Sequence, residues 1–261
     1  MSFLKRVKRH VRPFLPSGKG LQRLQDRLLR KARLRRTRDP LPLIMDSGLA
    51  YGSVLPLAIS DVLLDKPDFT FLQIGAYDGV AHDDLGDVIS RRRLRGVLVE
   101  PQPEVFKRLE SLYGDSDHLT LVNAAIDRQP GTREFYIPPR DCTQTASFNA
   151  EHVMKYGFAR HELIVHNVEC LTIEGVLERA GVDSIDLLQI DAEGYDHEIL
   201  KGVDFSRFRP ALIRFEHRHV PPAEIDACLA RLAGYGYRFF CEANDVIAIQ
   251  TERPAAAKLA A

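Results

Sequence analysis

From Phe69 to Gln250 short apolar runs alternate with amphipathic stretches, and this alternation leaves few folds open to the chain. Five runs, Phe69–Ile74, Gly96–Glu100, Leu119–Ile126, Ile185–Asp191 and Ala211–Glu216, are bounded by turn residues or charge and predict mostly buried parallel strands. Between them, Asp84–Arg93, Pro103–Tyr113, Ile173–Ala180, Tyr195–Val203 and Pro222–Ala233 have helical spacing. Two final runs, Tyr237–Cys241 and Val246–Gln250, flank Glu242, Ala243, Asn244 and Asp245, a hairpin signal. The pattern predicts an α/β fold with a doubly wound, mostly parallel sheet and an antiparallel edge strand. The interval after the third strand departs from it. Gly131–Ile137 reads as an extra β excursion, and Pro138–Asn167 as a long loop without a core pattern. Such a loop is usually a lid or binding element. It carries Thr143, Gln144, Thr145 and Ser147, with His152, His161 and His166 read as solvated histidines.

Apolar residues are 45% and charged residues 28% of 261, which excludes a disordered or membrane-embedded chain as a whole. No apolar run approaches 18 residues, and the N-terminal residues are charged throughout, so a cytoplasmic protein is expected. Cys142, Cys170, Cys228 and Cys241 stand at least 13 positions apart and read as reduced structural thiols. The zero net charge hides an asymmetry. Residues 1–38 hold 14 Lys or Arg against the single acid Asp26, leaving 22 basic against 35 acidic groups in the rest. Leu4, Val7, Val11 and Phe14, then Leu21, Leu24 and Leu28, give this segment a broken apolar stripe. It therefore reads as a basic amphipathic helical arm, suited to peripheral contact with anionic membrane at the cytoplasmic face, to a nucleic-acid partner, or to plain solvation. The expected organisation is arm 1–38, a connecting helical segment 39–68, a main α/β domain 69–251 and a flexible tail 252–261.

Phe71-Leu-Gln-Ile-Gly-Ala-Tyr-Asp-Gly79 runs a strand into a glycine turn ahead of a helix. Gly75 and Gly79 offer backbone without Cβ where a ligand passes close. Glu100 closes the next strand 25 positions after Gly75, where a carboxylate can accept two hydrogen bonds from a ribose diol. The turn lacks the glycines a pyrophosphate needs, so an adenosine compound without a phosphate chain is favoured.

These residues, with Gly96-Val-Leu-Val-Glu-Pro-Gln-Pro103, Asn123-Ala-Ala-Ile126 and Leu187-Leu-Gln-Ile-Asp-Ala-Glu-Gly194, resemble in order and spacing the motifs of FkbM-type S-adenosylmethionine-dependent methyltransferases. The resemblance spans Phe69 to Gln250. It implies a seven-stranded Rossmann-like sheet of the class I methyltransferase type, S-adenosyl-L-methionine as cofactor, and methyl transfer to a hydroxyl of a sugar, glycan or natural product. It further implies that Gly75, Ala76, Tyr77, Asp78 and Gly79 line the methionine half, that Glu100 takes the ribose, that Asn123 and Ala124 edge the adenine, and that Asp191 lies at the reaction centre. Two residues depart from the pattern: Gln73 stands where an acid is common and Tyr77 where Asn is common, so Asp78 or Asp191 would supply charge for the methionine amine.

Transfer from a sulfonium requires a positioned acceptor oxygen and a base for its proton. Asp191, Glu193, Glu216, His217 and His219 fall at strand ends. His217 is the expected base, with Asp191 as orienter or alternative base and Glu193 as a further candidate base, and His219 is read as a surface residue. As the alternative, Asp191, Glu216 and His217 would hold Mg2+ or Mn2+. A small-molecule or glycan acceptor is expected. Nucleic acid is not, because the catalytic part is acidic and the chain lacks tryptophan. A non-catalytic nucleoside-binding module docked through its arm is the rival reading.

Overall fold

The computed structural model describes residues 34–36, 42–44, 54–81, 85–139 and 143–251, in two compact units divided between Gly52 and Ser53. In the first unit, β1 (Leu34–Arg36) pairs antiparallel with β2 (Pro42–Ile44). Residues 34–36, expected to be helical, are thus extended. The apolar spacing of the arm stops at Leu28, and Pro40 sits between the strands. The remainder of the arm, the tail 252–261 and Cys142 lie outside the described residues. Among the described residues no helix is long and apolar enough to cross a membrane.

The second unit begins with α1 (Leu55–Asp65) and continues β3 (Thr70–Ile74), α2 (Gly86–Arg92), β4 (Arg95–Val99), α3 (Pro103–Tyr113), β5 (Leu119–Val122), β6 (Ala125–Ile126), β7 (Gly131–Ile137), α4 (Ala150–Met154), β8 (Ile164–Leu171), α5 (Ile173–Ala180), β9 (Leu187–Ile190), α6 (Asp196–Gly202), β10 (Leu212–Glu216), α7 (Pro222–Gly234), β11 (Tyr237–Glu242) and β12 (Asp245–Gln250). The main sheet has seven strands in the order β11-β12-β10-β9-β3-β4-β5. From β5 to β10 all pairings are parallel, and the terminal hairpin closes that edge with β12 antiparallel to β10 and to β11. This is the doubly wound sheet expected from the alternation, with the seven strands that the resemblance implies.

Strand periodicity divides the core into two layers. Leu72, Ile74, Val97, Val99, Leu188 and Ile190 pack under α5, α6 and α7, while Phe71, Leu98, Leu187 and Leu212 on the opposite face pack under α1, α2 and α3. The chain winds outward from β3 through β4 and β5, then returns to β9 on the other side of β3. The order therefore reverses between β3 and β9, the place where open α/β sheets leave a crevice.

Two expectations need correction here. Leu119–Ile126 is not one strand: β5 ends at Val122, whose carbonyl takes the N–H groups of both Glu100 and Ala124, and Ala125–Ile126 leaves to pair with β8. Nor is Pro138–Asn167 a structureless loop. It contains short 3-10 turns at Thr143–Thr145 and Arg160–Glu162, the helix α4 and the start of β8, and the β6-β8-β7 sheet is completed by a seven-pair antiparallel register between β7 and β8. The signal was weak because of the eight residues of β8 only Val168, Cys170 and Leu171 are buried.

Gly96 shows how tightly the sheet is covered. A Cβ there would lie 2.4 Å from the ring carbons of Phe71 on the neighbouring strand. Gly96→Ala is expected to lower stability by about 1–3 kcal/mol through overpacking, read as a lower urea midpoint at unchanged slope.

Candidate active site

The crevice between β3 and β9 opens into a cavity of about 340 Å³. Its floor is set by backbone. Gly75 leaves β3 with φ of 77°, and a Cβ on it would stand 1.9 Å from the Asp191 carbonyl oxygen. The N–H groups of Gly75 and Ala76 donate to Val99 O at 2.9 and 3.0 Å, and Asp191 N donates to Ile74 O at 2.9 Å, so the ends of β3, β4 and β9 are stitched together. Tyr77 follows in the left-handed region at φ of 49°, a cost of about 1 kcal/mol or more for a non-glycine residue.

Glu100 is 3% exposed and holds this turn. Its carboxylate accepts from Tyr77 N at 3.0 Å and from Gln102 N at 2.9 Å. Burial outweighs these donors, and with a smaller push from Asp191 it raises the carboxyl to about 7. Each oxygen keeps a lone pair for a further donor. Gln73, Ala76, Tyr77, Gln102 and Ala124 line the same end.

Three residues expected at the cofactor are engaged elsewhere. Asp78 turns its carboxylate back to the N–H groups of Val80 and Ala81, at 3.1 and 2.9 Å, and does not line the cavity. Gly79 is required by α3: a Cβ would lie 2.7 Å from Tyr113 and 3.0 Å from Leu109. Asn123 is exposed and donates from Nδ2 to Glu100 O at 2.8 Å, fixing the strand end rather than facing the cavity.

The other end of the cavity is acidic. Asp191, Glu193 and Glu216 line it, with Arg218 and His219. Asp196, fully buried, joins the two strand ends by accepting from Ala192 N at 3.1 Å and from Glu216 N at 3.0 Å. Burial, then the neighbouring Asp191, pushes its carboxyl well up from the usual range. Glu216 is raised to about 7 by burial first and then by Asp191, Glu193 and Asp245.

The histidines are arranged differently from expectation. His217 spends its N–H on Asn244 O at 2.9 Å and does not line the cavity; its Nε2 is buried without a hydrogen-bond partner among the described residues. The strand alternates sides, so Glu216 faces in and His217 out, and a turn closed by Val220 N to His217 O at 3.2 Å brings His219 back over the cavity. His219 Nε2 stands 3.8 Å from Glu216 Oε2 and 3.5 Å from Tyr156 Oη. Its ring meets that of His152 edge-on at 4.6 Å, and His152 Nε2 lies 3.3 Å from Glu193 Oε2. Burial, then His152, lowers the His219 pKa. His152, read as solvated, is 3% exposed; His161 is exposed. The approach depends on Gly194, where a Cβ would sit 3.2 Å from His152 Nδ1. Ser147 Oγ donates to Glu193 O at 3.0 Å.

Among the described residues, two groups bring potential metal-ligand atoms within 4.8 Å: His152, Glu193 and His219 at the cavity, and His197, Glu198 and Glu224 outside it. The expected set Asp191, Glu216 and His217 is not one of them, because His217 points away.

The Methyltransferase FkbM domain matches residues 73–239, and the chain belongs to that family of S-adenosylmethionine-dependent methyltransferases. The 2-O-methyltransferase NoeI of Sinorhizobium fredii (strain NBRC 101917 / NGR234) is 26% identical over 147 residues, 54% of this chain and 59% of that protein. Among solved structures, Methyltransferase FkbM from Methylobacillus flagellatus KT aligns at 12% identity and TM-score 0.46 over 70% of this chain and 43% of its own. The Methanococcus jannaschii fibrillarin pre-rRNA processing protein aligns at 14% and 0.40, over 83% and 81%. The chain thus spans less than two thirds of the first two proteins.

Glu216 supplies a pH test. Its folded-state pKa is raised, so the folded protein holds the proton more tightly than the unfolded chain, and stability falls as pH rises from about 4.5 through about 7. Glu216→Gln removes that loss. Its gain in urea midpoint over the parent should be larger at pH 8 than at pH 5.5; an equal gain at both would remove Glu216 from the crowded cluster.

Proposed function

We propose that this FkbM-family chain transfers a methyl group from S-adenosylmethionine to a hydroxyl of a saccharide or similar polyol. The observation that carries the proposal is one cavity with two unlike ends: a glycine turn and buried Glu100 at one, and carboxylates with His219 at the other. The first end fits the cofactor. Glu100 offers acceptor capacity to a ribose diol, and Gln102 Oε1 and Gln189 Oε1 are buried in the lining without hydrogen-bond partners among the described residues.

S-adenosylmethionine supplies an electrophilic methyl on a positively charged sulfur. The chain's own residues do the rest. Glu193 and Glu216 accept hydrogen bonds from acceptor hydroxyls and hold the ring, while Phe148 and Tyr195, in edge contact at 5.1 Å, give an aromatic wall to its apolar face. His219 takes the hydroxyl proton at Nε2. Its lowered pKa keeps the ring neutral near pH 7, and Glu216 beside it stabilises the imidazolium once formed. Hydroxyl methylation is in keeping with the 2-O-methyltransferase among the relatives.

Replacing His219 with Ala should lower turnover on a panel of hexosyl and deoxyhexosyl glycosides by about 10²–10⁴-fold while S-adenosylhomocysteine still binds. Glu100→Ala should do the converse, weakening that ligand by a few kcal/mol, about the loss of a charge-assisted hydrogen-bond pair. EDTA should leave activity intact; loss with EDTA and recovery with a divalent ion would make His152, Glu193 and His219 a metal site instead.

A further inference from the structure

The strand at one edge of the main sheet carries a pattern that is its own complement. β11 ends the sheet's order with β12 on one side, and among the described residues no strand pairs with the other side. Gly236 O accepts from Thr251 N at 3.1 Å, one step beyond the hairpin register and in line with it. Bonded positions alternate along an antiparallel strand. Arg238, Phe240 and Glu242 therefore turn their backbone groups to β12, while Tyr237, Phe239 and Cys241 turn theirs outward. Such edges pair readily unless proline, lysine or a bulge blocks them, and β11 has none of these. Its charged residues are Arg238 and Glu242. The side chains follow the same division. Arg238, Phe240 and Glu242 are the register partners of Ile249, Ile247 and Asp245, and so project to the sheet face covered by α1. Glu242 accepts there from Val54 N at 3.0 and 2.9 Å. Phe240 is 52% exposed, and Arg238 is exposed as well.

We infer that β11 is a self-association site, to which a second copy of this chain adds its own β11 antiparallel about a two-fold axis at Phe240. The occupant follows from complementarity, because a two-fold contact sets residue i against j and j against i. With the axis at Phe240, that ring meets the partner's Phe240, and Arg238 meets the partner's Glu242 on both sides of it. The backbone agrees. Phe239 and the partner's Cys241, both outward, fall opposite and exchange hydrogen bonds. The Phe240 and Arg238 pairs then take the non-bonded positions, where Cα atoms stand about 4.5 Å apart and side chains are closest. Moving the axis to Phe239 or Cys241 keeps the backbone bonds but sets Arg238 against Phe240, or Phe240 against Glu242. An axis between residues sets outward positions against those already turned to β12. One register thus satisfies backbone, charge and ring together, and it is independent of what the cavity binds.

Sedimentation velocity on the full chain tests this. Between about 1 and 100 µM, the range of modest interfaces, the parent should pass from monomer to dimer. Phe240→Lys sets two ammonium groups face to face, and Arg238→Glu sets carboxylate against carboxylate; each should weaken the dimer at least about tenfold. A parent that stays monomeric, or a dimer that neither variant weakens, overturns the inference. The register has its own check. In a Cys241→Ser background, Phe240→Cys should close a disulfide between copies on mild oxidation, whereas Arg238→Cys should not, its two sites lying roughly 14 Å apart by strand rise. No cross-link at position 240, or equal cross-linking at both positions, overturns it. If Phe240→Lys does not fold, Arg238→Glu and the cross-links decide.

Discussion

The close passage of two chain segments at the point where the sheet reverses is the constraint on which the rest of the site depends. Gly75 and the Asp191 carbonyl approach so closely that no side chain fits between them. The backbone of Gly75 must also turn to positive φ, which glycine does without a Cβ penalty. With that turn made, Tyr77 presents its N–H to Glu100, Gln102 does the same from the following loop, and the carboxylate is fixed at the cavity floor. Without it, β3 and β9 would have to separate, and the ends that carry Glu100 and Asp191 would no longer border one cavity.

Holding several carboxylates together has a consequence for charge. Glu100, Asp191, Glu193 and Glu216 line the cavity with one guanidinium, Arg218, and burial pushes Glu100 and Glu216 up to about 7. A ligand with a positive sulfur and an ammonium group relieves such a site more than a neutral or anionic one does.

Much of the fold could be read from the sequence because its elements are local. Apolar runs such as Gly96–Glu100 and Ala211–Glu216 have two buried faces, and the segments between them have one, so period and length distinguish strand from helix. The cofactor end was legible for a similar reason, since Gly75, Tyr77 and Glu100 follow directly from strand ends. Asp78, Gly79 and Asn123 share the same motifs yet serve the backbone or α3. Sequence spacing does not reveal whether a side chain at a turn faces a ligand or its own chain. His217 and His219 differ in the same way, and only the turn between them decides which ring meets the cavity.

The acceptor end was the least legible because it is assembled from distant segments. Glu193 comes from the turn after β9 and His219 from the turn after β10, while Ser147, His152 and Tyr156 come from the segment between β7 and β8. Of these only Glu193 sits in a recognisable short pattern, Leu187–Gly194, and α4 is only five residues long. Its placement comes from packing: Val153 is fully buried, Ala150 and Leu163 pack with it, and Arg133 lies 4.1 Å over the Phe148 ring while pairing with Asp127 and with Tyr195 Oη. The Glu100 end is thus built by the sheet, and the His219 end by the turns after β9 and β10 together with the insertion. Changes in the insertion would bear on both ends, since its Thr143 also joins Tyr77 Oη at 2.8 Å and accepts from Gln102 Nε2 at 3.1 Å.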